Sequence, residues 1–234
     1  MKNRFALAKG FTLAEVLITL GIIGIVAAIT IPGVMQNYKK KAAAGRLKHF
    51  YATIIQAIRL SEIDNGPSEG WEKVSFKLED GTAKDDKTRY DEGYIFLKKY
   101  ILPYIKYSII SEGGESTYNE EGIKIADDPL ILALLDGTQF IPKNGDCMDL
   151  HVDLNGEKGP NSFARDRFIF ILCPSMEFRN KYFGNENTAF SGKTYFREKT
   201  REEKLTGCKN DPTKCSGLIQ FDNWEFRKDY PYKL

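Results

Sequence analysis

Lys9-Gly10-Phe11-Thr12-Leu13-Ala14-Glu15-Val16-Leu17 opens a stretch that runs on to Ile31 without another ionisable side chain. Residues 11–31 hold twelve Phe, Leu, Ile or Val side chains, and Glu15 is their only charge. As a helix this segment is about 32 Å long, enough to cross a hydrocarbon core of about 30 Å. Its apolar side chains together favour insertion by roughly 4–7 kcal/mol. A carboxylate costs roughly 2.5–3.5 kcal/mol at a helix centre and less near an end, where Glu15 lies. The balance predicts a membrane-spanning helix.

Upstream, residues 1–10 form a short leader carrying Lys2, Arg4 and Lys9. An ordinary secretory signal places its apolar core before the cleavage site. Here the small residue Gly10 precedes the apolar stretch, so a cut after it leaves the helix on the mature chain. The pattern of Gly10, the aromatic Phe11 and a lone Glu15 before a clean apolar run resembles the class III signal of type IV prepilins and type II secretion pseudopilins. The resemblance covers about residues 9–37. It implies that a prepilin peptidase cuts between Gly10 and Phe11 and N-methylates Phe11, and that Glu15 becomes the fifth mature residue, the family's assembly glutamate.

Physical reasoning gives Glu15 the same importance. A carboxylate in an apolar medium needs a partner or a proton. After cleavage the nearest new cation is the Phe11 amine, one helical turn away; in a filament, the family model implies pairing with Phe11 of a neighbour. Charge does not fix topology, because Lys39, Lys40, Lys41, Arg46 and Lys48 follow the span and outnumber the leader's three cations. The cytoplasmic leader and outward head are implied by the resemblance: a single-pass protein of the bacterial inner membrane, its head in the periplasm or outside the cell.

Downstream, Pro32 and Gly33 interrupt the apolar run, and a kink or short melted stretch is expected there. Leu47, Phe50, Tyr51, Ile54, Ile55 and Ile58 then recur at helical spacing, with basic residues on other faces. The helix is expected to end near Glu62, before Asp64-Asn65-Gly66-Pro67. Unbroken over residues 11–62 it would be roughly 78 Å long, a length that suits a filament of packed helices. Residues 64–90 read as loop, and 94–104 as a short helix. Strands are expected at 130–135 and 138–141 around the Asp136-Gly137 turn, and at 148–152, 168–173 and 224–226. Asp211-Pro212 suits a helix start running to about Ile219. The fold class is α+β: a leader (1–10), a long helix (11–62) spanning the membrane over 11–31, and an exported head (63–234) in which the helix packs on a small antiparallel sheet.

The bulk numbers exclude other classes. Removing the leader's three cations leaves 31 basic residues against 32 acidic ones, near −1, so no nucleic acid is expected as a direct partner. Cys147, Cys173, Cys208 and Cys215 fit neither a zinc ribbon nor a redox CxxC. An even count downstream of an export signal reads as two disulfides. Three pairings are open; the short polar loop between Cys208 and Cys215 favours that pair, with Cys147–Cys173 as the other.

Asp153, Asn155, Glu157 and Asp166 offer hard oxygen ligands for calcium, and this segment loosely resembles a calcium loop known in major pseudopilin heads. The plainer reading is an Asx turn with Asn155-Gly156 at its tip. His49 and His151 suggest no metal or catalytic pair, and nucleophile-elbow, P-loop and dinucleotide motifs are missing. The resemblance therefore implies a filament subunit and not an enzyme. It implies as partners the prepilin peptidase, other pilin or pseudopilin subunits, an inner-membrane platform and ATPase, and membrane lipid, with no cofactor unless calcium. A tip subunit acting as an adhesin, or a signal-anchored enzyme, are the rival readings.

Overall fold

A 53-residue helix, α1 (Leu13–Asn65), comes first in the chain. The computed structural model describes residues 11–112, 117–118, 124–126, 129–184, 188–194 and 199–234. The chain divides into two compact units, Met1–Lys39 and Lys40–Leu234, and α1 contributes to both.

In the first unit α1 is helical from Leu13 onward, and nearly every side chain is exposed. Helix continues through Pro32 and Gly33; of the expected kink or melted stretch, the melted stretch is corrected. Proline removes only one backbone donor, whereas unwinding would leave several backbone groups without their helical partners.

In the second unit Leu47, Phe50, Ile54, Ala57, Ile58 and Ser61 form the buried stripe of α1. Spacings of three and four residues place them on one face. The helix ends at Asn65, three residues later than expected, and Gly66 takes a positive φ of 76°, a left-handed backbone that glycine adopts freely at a helix end.

The stripe packs on a six-stranded sheet with order β1-β4-β5-β6-β7-β8. The strands are β1 (Tyr107–Glu112), β4 (Leu130–Leu134), β5 (Gln139–Asn144), β6 (Met148–Asp153), β7 (Arg167–Leu172) and β8 (Phe190–Gly192), and every pairing is antiparallel. Between β1 and β4 the chain makes a separate ladder of β2 (Thr117–Tyr118) and β3 (Lys124–Ala126). Alternation decides which side chains meet the helix. Phe140, Leu150, Phe168 and Phe170 point inward, and the Phe50 ring lies 5.5 Å from both Phe140 and Phe170.

Asp136-Gly137 forms the β4–β5 turn as expected: Gly137 has φ 83°, and the Thr138 amide donates to Asp136 Oδ1 at 2.9 Å. The second helix, α2 (Asp86–Tyr100), starts earlier than the expected 94 because Asp85 caps it, accepting from the Thr88 amide at 3.0 Å. It lies against β5 so tightly that a Cβ on Gly93 would come within 2.8 Å of the Pro142 carbonyl oxygen. A short helix, α3 (Met176–Phe183), follows β7.

Two further helices, α4 (Arg201–Asn210) and α5 (Cys215–Phe221), close the fold. Residues 224–226 are not the expected strand. Asn223 and Trp224 have φ of 53° and 64°, a left-handed turn that no strand accommodates, and it swings the Trp224 ring to 5.1 Å from Tyr51.

Candidate functional site

At the N-terminus the chemistry is concentrated where α1 begins. Gly10 lies outside the described residues. Phe11 is 88% exposed. Thr12 precedes the first helical turn and exchanges two hydrogen bonds with Glu15: the Thr12 amide donates to Glu15 Oε2 at 2.8 Å, and the Glu15 amide donates to Thr12 Oγ1 at 3.3 Å. This reciprocal pair is a capping box, which satisfies backbone donors that a helix start leaves orphaned. Thr12 Oγ1 adds a third bond to Glu15 Oε2 at 2.8 Å. Glu15 thus finds its partner inside its own first turn. In the uncut chain the Phe11 nitrogen is an ordinary amide and offers no ammonium. Thr12 escaped the sequence reading, although its spacing from Glu15 is the signature of such a box.

Beyond the cap, α1 contains an 18-residue window of mean hydropathy 2.4, none of it buried. Leu17, Ile18, Leu20, Ile22, Ile23, Ile25 and Val26 are all more than half exposed. A contiguous apolar surface of this size does not stay in water; lipid or other proteins cover it. By length and composition α1 qualifies as a membrane span.

The remaining sequence candidates fall in the second unit. Disulfides join Cys147 to Cys173 and Cys208 to Cys215. The first fastens the residue before β6 to the residue after β7, and the second ties α4 to α5.

Two of the four calcium candidates, Asp153 and Asp166, hold turns. Asp153 Oδ1 accepts from the Asn155 and Gly156 amides at 3.0 and 2.8 Å, and its Oδ2 accepts from Arg167 Nε at 2.9 Å. Asp166 accepts from the Asn161 and Ser162 amides, both at 2.8 Å, while Glu157 is exposed. Among the described residues no three His, Cys, Asp or Glu side chains converge on a point that could hold a metal. Asp153 and Asp166 close turns, as the plainer reading of this segment expects. Asn155 Oδ1, Asn161 Oδ1 and Ser162 Oγ in the same loop lack a protein partner.

His151 faces the side of the sheet away from α1. Burial, then the charges of Lys143 and Lys193, push its pKa down to about 4, so the imidazole is neutral at physiological pH. Its ring meets Phe163 edge-on at 6.4 Å. That is a packing role.

Comparison with known proteins agrees with the division into two parts. Residues 33–234 match the model of a family of unknown function, DUF6613, and the chain belongs to that family. Residues 6–31 match the prokaryotic N-terminal methylation motif, the prepilin-type signal of type IV pilins and pseudopilins. No curated protein and no solved structure matches the chain.

Proposed function

We propose that this chain is a structural subunit of a type IV pilus-like or type II secretion pseudopilus filament. The observation that carries the reading is the prepilin-type motif over residues 6–31, continuous with a helix whose apolar surface has no cover of its own. Residues 1–10 are the leader, the long helix follows and ends at Asn65, and the residues beyond it complete the exported head. Prepilin peptidase cuts between Gly10 and Phe11 and methylates the new amine. The processed subunit then rests in the inner membrane with its head outside, until a platform protein and its ATPase move it into the filament.

During that transfer, apolar contacts between neighbouring helices replace lipid contacts at little cost, since both media are dry. The ammonium of Phe11 and the carboxylate of Glu15 then set axial register, because an unpaired charge in that environment is expensive. The near-neutral mature charge argues against a nucleic-acid partner, and the sequence carries no recognised catalytic motif.

The test is the N-terminus of the protein recovered from cells. It is expected to begin at N-methylated Phe11, and Glu15→Ala is expected to leave membrane insertion intact while emptying the filament fraction. A mature protein starting elsewhere, or full incorporation of the variant, overturns the reading.

A further inference from the structure

We infer that Lys84 and Asn144 are joined by a side-chain amide bond formed within the folded head, with Glu92 as the proton-transferring group. Asn144 is fully buried in β5, where α2 presses against the strand. Its Nδ2 donates to Glu92 Oε2 at 2.7 Å and to the Val74 carbonyl at 3.2 Å, which fixes the orientation of the amide. Its Oδ1 has no hydrogen-bond partner, an unusual state for a buried carbonyl.

The other oxygen of the same carboxylate, Glu92 Oε1, accepts from Lys84 Nζ. Lys84 is held in place by its own amide, which donates to the Phe76 carbonyl at 2.8 Å. One carboxylate therefore touches both an amine and the nitrogen of an amide. Both ionic side chains are mostly shielded, at 22% and 15% exposure. A second lysine nearby, Lys73, is committed elsewhere, donating to the Gly145 carbonyl at 2.5 Å.

This arrangement holds the parts of an acyl transfer. Glu92 takes a proton from the Lys84 ammonium, and the free amine attacks Asn144 Cγ, forming the new C–N bond. Glu92 returns that proton to Nδ2 and takes the surplus proton from Nζ. The Cγ–Nδ2 bond then breaks and ammonia departs. Lysine amines act as nucleophiles once deprotonated, and a carboxylate in a shielded site serves as acid and base in turn. The reaction runs once per molecule, so holding the groups together, worth up to about 10⁵–10⁸ M in effective concentration, is the main contribution the fold must make. A competing attack on the same carbon comes from the Gly145 amide, which instead donates to the Cys147 carbonyl at 2.8 Å.

Mass measurement of the purified full-length chain tests this. The wild-type protein is expected to be lighter than its sequence by one ammonia, beyond disulfides and N-terminal processing. Trypsin is expected to spare the bond after Lys84 and to release a branched peptide containing residues 84 and 144. Lys84→Arg and Glu92→Gln are each expected to restore the full mass. An unaltered wild-type mass overturns the inference without any variant. So does an ammonia loss without a branch, the mark of attack by Gly145, or a branch from another lysine.

Discussion

Within α1, two stretches of similar helix show opposite burial. In the first unit Leu13 and Ile29 are 80% and 75% exposed, whereas in the second Leu47, Phe50 and Ile54 are fully buried. Both are rich in aliphatic side chains. They differ in how those side chains are distributed: the first stretch is apolar on all sides, the second only along a stripe. A stripe is completed by one sheet, but an all-round apolar surface requires a surrounding medium. The helix therefore belongs to a globular core at one end and presents an uncovered apolar surface at the other.

The sharpest way to break this comparison is Phe50→Ala. Removing a ring that touches Phe140 and Phe170 is expected to destabilise the head by about 3–5 kcal/mol, read as a lower denaturation midpoint, with membrane insertion unchanged. A loss below about 1 kcal/mol would show that the stripe is not the core of the head.

Acid is expected to weaken the head by a comparable amount and to spare the span. The His151 imidazole has its pKa lowered from 6.5 to about 4 in the folded head, so the unfolded chain binds the proton more readily. Stability is present above pH 6.5 and falls as pH drops from 6.5 toward 4, by up to roughly 3 kcal/mol. His151→Phe is expected to flatten that part of a pH–stability curve; an unchanged slope would remove His151 as its cause.

The smallest effect is expected at the other end. Thr12→Ala deletes the cap and is expected to fray the first turn, at a cost of about 1 kcal/mol, visible as faster amide exchange at residues 13–16. The head's melting temperature should not move. A shift there would mean that the two stretches are energetically coupled.

Much of this was readable from the residues alone. The strands around Asp136-Gly137 were legible because alternation and a turn signal coincide. The span was legible because composition alone suffices. What stayed hidden depends on partners remote in sequence. Helix α4 has no apolar stripe to read in Arg201-Glu202-Glu203-Lys204; a capping box between Thr200 and Glu203 starts it, and the disulfide to α5 holds it. Trp224 looked like strand because it is aromatic, yet the Tyr51 and Phe170 rings beside it set its backbone. The calcium candidates shared oxygen chemistry with a metal loop, and only the fold showed that backbone amides bind the Asp153 and Asp166 carboxylates.

Both Thr12 bonds to Glu15 end on a single atom, Oε2. Its twin, Oε1, takes no hydrogen bond among the described residues, so one side chain clasps its own rod with one hand and keeps the other free. A mutant without the acid therefore loses a splint as well as a handhold, and its phenotype mixes the two losses.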